Sequence, residues 1–336
     1  MAKKIFCGVC AAIALLSCTL FTYIDYSRNL KGPLFYRHYI TYNVRTAYRD
    51  AQAAEQQRQA LRADPTLIED PSFRREGPGN PGLYPIEWLG IAAAVNVGHT
   101  LQITSALLDL NELGIYKLTD VNDLVYRQTP PLAWTEKDEQ IDIIDGERFK
   151  TGVSALAFST EDLKTLSETI VHPVTVERLL VNYTYDGKEY TENVPIGKLT
   201  LYSADSCLDR LTADTVVSRP PVDGAGLEAR GAALSFQVRP GCTVKSVSLP
   251  YPKVSADALP LALEQEPDGR ITASAAERFE GMGLVYFQLD FIIRGTDADG
   301  AEVTAVSDYQ NYSFFTMTGG SIHVLAELKN RGERER

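Results

Sequence analysis

Val174-Thr-Val-Glu-Arg-Leu-Leu-Val-Asn-Tyr-Thr-Tyr185, followed by Asp186-Gly187 and then Lys188 to Val194, is the stretch whose reading decides the fold. β-Branched and aromatic residues crowd both flanks, the side chains that a pleated, half-buried surface packs best. Asp-Gly between them suits a tight turn, because both central residues of such a turn must tolerate positive φ. The pattern predicts two long antiparallel strands joined by a hairpin.

The same punctuation recurs along the chain. Asp-Gly pairs stand at 145–146, 223–224, 268–269 and 299–300 as well. Leu284 to Arg294 and Ala301 to Ser307 flank the last of these and read as a second hairpin. Leu234 to Val238 and Thr243 to Leu249 read as further strands, and Ser159 to Leu166 as a helix capped by the Ser159 hydroxyl. Short strands with frequent turns predict a mainly β body of two antiparallel, immunoglobulin-like sandwich units, at 85–205 and 206–330. This likeness is one of strand pattern, and it carries no family motif. Residues 331–336, rich in charge, form a solvated tail.

Upstream of the body the chemistry changes. Ile5 to Ile24 carries no formal charge, and twenty residues of helix span about 30 Å, the hydrocarbon thickness of a bilayer. Residues 1–26 therefore read as a signal-anchor, with Lys3 and Lys4 favouring a cytoplasmic N-terminus. A lipoprotein signal is the alternative, since Leu15-Leu16-Ser17-Cys18 resembles a lipobox with Cys18 as the lipidated residue. A cleaved secretory signal and the inverted orientation also stay open, because Arg28, Lys31 and Arg37 match the upstream charge. Cys7-Gly8-Val9-Cys10 has redox or zinc spacing, but inside an apolar run it reads as two small membrane-compatible side chains.

Residues 27–84 read as a juxtamembrane region. Tyr26, Arg28, Lys31, Phe35, Tyr36, Arg37 and Tyr39 interleave aromatic and cationic side chains, as expected of a collar at the head-group level. Tyr42 to Arg62 then has helical composition, with Val44, Ala47, Tyr48, Ala51, Ala54 and Leu61 near one face. It reads as a stalk, or as a helix lying on the body or the membrane. The Pro- and Gly-rich run from Asp64 to Gly82 reads as a linker. Trp88 to Leu108 is uncharged but holds Asn96, His99, Gln102 and Thr104, so strands are expected there before a second membrane span.

Charge narrows the function classes. Nine of the 33 Lys and Arg, but only four of the 44 Asp and Glu, lie before residue 65, leaving 24 against 40 in the rest. An acidic body opposes nucleic acid, whose phosphates repel it. No nucleophile elbow stands out, and His38, His99, His172 and His323 are scattered without metal-ligand spacing. No catalytic, cofactor or metal residue is therefore assigned. Asp297-Ala-Asp-Gly300 resembles the start of a calcium loop but lacks the later ligands, so it reads as a hairpin tip. Cys207 and Cys242, the two cysteines of the body, are two separate thiols or a disulfide in an oxidising compartment. Asn182-Tyr-Thr and Asn311-Tyr-Ser fit the glycosylation pattern.

These features point to a non-enzymatic, single-pass membrane protein with an extracytoplasmic body. Its partners would be membrane lipid through the N-terminal helix and an unidentified protein or cell-envelope component. A sensor or regulatory subunit of a larger membrane assembly is the first alternative; an anchored hydrolase with an acidic site is the second.

Overall fold

A computed structural model describes residues 13, 15–19, 32–64, 66, 88–96, 98–120, 140–144, 147–218, 232–250, 259–275, 284–307 and 312–317. Strands β1 (Leu34–Phe35) and β2 (Arg37–Asn43) lead into helix α1 (Val44–Ala63). Strands β3 (Leu89–Asn96), β4 (Leu101–Asp109), β5 (Ile115–Asp120), β6 (Gln140–Ile144) and β7 (Glu147–Ala157) follow. Helix α2 (Thr160–Thr169) precedes the hairpin β8 (Val174–Tyr185) and β9 (Lys188–Tyr202). After β10 (Asp205–Ser206) and helix α3 (Cys207–Arg210) come β11 (Thr212–Ser218), β12 (Ala232–Val238) and β13 (Thr243–Leu249). Next are β14 (Leu259–Pro260), β15 (Ala262–Gln265), β16 (Ile271–Ala275) and β17 (Leu284–Leu289). Last come β18 (Ile292–Thr296), β19 (Glu302–Val306) and β20 (Tyr312–Met317).

The protein is mainly β, with sheets stacked about two hydrophobic cores. The hairpin that decides the fold is present, with Asp186 and Gly187 at φ 49 and 74. Its strands belong to a sheet ordered β1-β3-β7-β5-β4-β8-β9-β2-β17-β20, with β6 on β7. Only Tyr36 separates β1 from β2, and its N–H still reaches the Ala92 carbonyl at 3.0 Å. The bent strand 34–43 thus bonds β3 at its start and β9 further on, and the circuit closes as a barrel. The sheets stack in the sandwich-like arrangement expected, and about the first core the long strands β8 and β9 curl the sheet back onto strand 34–43. Closure gives strand 34–43 partners on both sides, while β20 and β6 each pair with one described strand, β17 and β7.

Residues read as collar and stalk are part of this body. Tyr36 is 2% exposed in the barrel core, Phe35 packs edge-on against Tyr183 at 5.6 Å, and Tyr39 stacks on Phe287. Arg37 is exposed, while Tyr26, Arg28 and Lys31 lie outside the described residues. The collar reading is revised for Phe35, Tyr36, Arg37 and Tyr39, because alternation of aromatic and charged residues also describes a strand with one buried face. Helix α1 lies against the body: Val44, Ala47, Ala51 and Ala54 are buried, and it packs on α2. Asn43 caps it and exchanges two hydrogen bonds with the backbone of Ala204, which ties the helix start to the crossover between the two cores.

Trp88 to Leu108 forms strands β3 and β4, which removes the second-span alternative. Ser159 Oγ accepts from the Asp162 N–H at 3.1 Å, the expected cap of α2. Among the described residues no helix is long and apolar enough to cross a membrane. The run expected to be the anchor lies mostly outside them; Leu15 to Thr19 are helical, with Leu15 and Leu16 exposed.

The second core is a sandwich of a five-stranded sheet, β10-β19-β18-β13-β14, on a four-stranded one, β11-β12-β16-β15. Residues 284–294, expected as one strand, are two. β17 joins the first sheet, parallel to β2 and antiparallel to β20, and β18 joins the sandwich. The chain changes sheets at Asp290-Phe291, where hydroxyls take over from the ladder. Asp290 N–H donates to Thr41 Oγ1 at 2.8 Å and Phe291 N–H to Ser307 Oγ at 3.0 Å. Period-2 alternation lets β17 serve both cores: Tyr286 packs in the barrel, Phe287 and Leu289 in the sandwich.

Where β3 and β17 diverge along strand 34–43, side chains stand in for missing backbone partners. Gln288 accepts from the Gly90 N–H at 2.9 Å and donates to the Trp88 carbonyl at 2.6 Å. His38 Nε2 accepts from the Ala92 N–H at 2.7 Å. Gly90 has to be glycine here, since a Cβ would fall 2.4 Å from the Tyr286 hydroxyl.

Candidate functional site: an arginine-lined cleft on the sandwich

Three short segments meet at one end of the sandwich. Helix α3 starts where the Ser206 hydroxyl accepts from the Leu208 N–H at 3.0 Å. The turn between β12 and β13 closes through Cys242 N–H to the Arg239 carbonyl, with Gly241 at φ 81. The tip between β18 and β19 is held by Asp297, whose Oδ1 accepts from the Ala301 and Asp299 N–H groups at 2.9 and 3.1 Å. Asp297-Ala-Asp-Gly300 is therefore the hairpin tip that its sequence suggests. Between these segments lies an open cleft of about 660 Å³, lined chiefly by Asp209, Arg210, Arg239, Cys242, Asp297 and Asp299.

Arg210 organises its wall. One terminal nitrogen meets Asp297 at 2.7 Å and the other meets Asp205 at 3.4 Å. The Ala301 N–H does most to hold the Asp297 carboxyl below its usual range; burial opposes this, and Arg210 and the Asp299 N–H add to it. Arg45 and Arg49 on α1 pair with Asp205 and Asp209, extending the ion pairs to the first core. Arg239 differs: its Nε donates to the Thr212 carbonyl at 3.0 Å, and its terminal nitrogens have no partner among the described residues. A guanidinium presented in this way suits a carboxylate or phosphate. The three lining aspartates oppose a purely anionic guest.

The Cys242 thiol donates to the Arg210 carbonyl at 3.4 Å. Among the described residues no group of three or more His, Cys, Asp or Glu could hold a metal.

The remaining sequence candidates fall elsewhere. Cys207 is buried in the sandwich core while Cys242 faces the cleft, and the two sulfurs are not joined. That is the separate-thiol alternative, since one side chain is committed to apolar packing and the other to a backbone carbonyl. Cys18 is exposed. Asn182 is half-buried, donating to Ser105 Oγ and accepting from Thr191 Oγ1, so its amide serves the sheet. Asn311 and His323 lie outside the described residues. His172 is exposed, and His99 pairs with Asp186 at 2.6 Å and stacks on Tyr185.

His38 was treated as ordinary, yet it is fully buried and its pKa is lowered to about 4. Desolvation is the main cause; the Ile196 and Tyr36 carbonyls pull it partly back. Those carbonyls lie near Nδ1 without completing a well-aligned hydrogen bond. Arg210 and Arg239 were missed because residues 29 apart converge only when β11 and β12 pair.

No known family's model matches this chain, and no curated protein is similar to it.

Proposed function

We propose that the protein is a non-enzymatic, membrane-anchored binding protein. Its β body stands on the extracytoplasmic side and engages a protein partner or a cell-surface component. One observation carries the reading. The uncharged run Ile5 to Ile24 is separated by nine residues from β1, and β1 opens the strand that both cores share. A protein whose membrane segment feeds directly into its central strand holds its body close to the bilayer.

The test uses reporter fusions after Asn80 and after Arg336, together with alkaline extraction of membranes. Retention in the membrane with both reporters active only outside the cytoplasm is expected. Release by alkali removes the anchor, and activity inside the cytoplasm removes the envelope location. The lipoprotein alternative is separated by intact mass, which would place a lipidated Cys18 at the mature N-terminus.

A second reading, a sensor subunit of a larger membrane assembly, is favoured by strand 34–43 itself. Tyr36 and Ile40 pack in one core and Tyr39 against the other, so a load on the cleft-bearing half reaches the tether through one strand. Co-purification of a multi-spanning membrane protein, lost on Arg239→Glu, would support it; survival of the complex in that variant would count against a role for the cleft.

A further inference from the structure

The barrel has two unlike ends. At one, β2 runs into α1, and α2 runs into β8, so the two helices cover the core. At the other, the β8–β9 tip, the 98–100 turn and the start of β1 come together. Asp186 N–H donates to the Thr100 carbonyl at 3.0 Å, and Phe35 packs edge-on to Tyr183. This end presents aromatic rings. Tyr190 stacks on Tyr183 at 5.4 Å and is 42% exposed, and Tyr185 stacks on His99.

We infer that this tyrosine-bearing end of the barrel rests on the membrane, with Tyr185 and Tyr190 seated among phospholipid head groups. The inference rests on the anchor reading and deepens it. β2 runs away from this end, so the chain before Leu34 leaves on the aromatic side. Nine residues, 25–33, link Ile24 to Leu34, and ten extended steps reach at most about 35 Å. The end that carries the tether is thus held within that distance of the bilayer, while the α1–α2 end and the sandwich have no such constraint.

Tyrosine suits the interface, because its ring is apolar and its hydroxyl keeps a polar partner. The charges nearby are mixed: Lys188 and His99 stand among Asp186, Glu189 and Glu192, and Asp186 is already bonded to His99 and the Thr100 N–H. The contact therefore depends on the rings and works on zwitterionic lipid without anionic lipid or low salt.

The experiment places single tryptophans in the full chain reconstituted in phosphatidylcholine vesicles carrying a quencher at head-group depth. Emission is read above that of the parent, which contains Trp88 and Trp134. Tyr190→Trp is expected to lose roughly half of its added emission, and Tyr185→Trp a comparable part. Val216→Trp, on the exposed surface of the sandwich, is expected to lose almost none. Two sites at the tip guard against one that disturbs folding. Equal, weak quenching at all three positions in a chain that survives alkaline washing overturns the contact and leaves the anchor standing. A chain washed off the vesicles overturns both.

Discussion

The barrel and the sandwich solve the problem of sheet edges differently. The barrel closes through strand 34–43 and leaves only β6 and β20 with a single partner among the described strands, whereas the sandwich keeps open edges at β10, β11, β14 and β15 and manages them locally. β14 is two residues long and β15 carries the exposed Glu264, both devices that discourage strand addition. The polar chemistry divides in the same way. The barrel buries its polar groups at the fork between β3 and β17, where they hold the fold, and the sandwich gathers its own around an open cleft.

The steric limits of each half set the largest expected effects. A Cβ on Gly295 would lie 2.0 Å from the Thr243 carbonyl, and one on Gly197, at φ 89, 2.6 Å from the His38 carbonyl. Gly295→Ala in the sandwich and Gly197→Ala in the barrel should each cost more than about 3 kcal/mol in denaturant unfolding. Gly269→Ala, at a turn with open space around it, should cost only about 1 kcal/mol. Equal losses at all three positions would mean that close approach is not what these glycines provide.

Acid separates the halves. Above about pH 6.5 His38 is neutral in both states and adds no slope. Between that value and its folded pKa of about 4 the unfolded chain takes up a proton that the folded one refuses, so stability falls as pH falls. The loss should approach 3 kcal/mol, at about 1.4 kcal/mol per unit. His38→Gln should remove that slope, which chemical unfolding from pH 7 to 4 would reveal. The sandwich should respond only lower. Burial raises Asp214, but Arg270 and the Gln237 N–H outweigh it, and Asp297 is lowered too. Their contribution is present above the ordinary carboxylate range and is lost as pH drops through it.

Gln288→Leu should cost about 2–3 kcal/mol by leaving the Gly90 N–H and Trp88 carbonyl unsatisfied, with Ser307→Ala costing somewhat less. Smallest of all, Arg45→Ala should cost under about 1 kcal/mol, since its pair with Asp205 is solvent-exposed. A larger loss would show that the ion pairs, more than the shared strands, join the halves.

What the sequence made legible was local. The 174–194 hairpin, the Ser159 cap and the Asp297–Gly300 tip each depend on neighbours within a few residues, and each is present. The break at Asp290-Phe291 was hidden, because the groups that satisfy it are Thr41, far back in the chain, and Ser307. Strand 34–43 was misread for a related reason. Aromatic and basic residues in alternation fit a lipid interface and a half-buried strand equally well, and only its pairing with β9 and β17 decides between them. The cleft was invisible because Arg210, Arg239 and Asp297 become neighbours only through tertiary pairing.

The shared strands β2 and β17 are the centre of this architecture, and native probes on either side of them test it. Cys207 is buried in the sandwich core and Trp88 stands at the barrel fork. Labelling of the Cys207 thiol and tryptophan fluorescence should be followed together through one denaturant titration of the full chain. Two halves locked through β2 and β17 should expose Cys207 and change the fluorescence at the same denaturant concentration. Labelling of Cys207 at a clearly lower concentration, with the fluorescence still native, would contradict the joined fold.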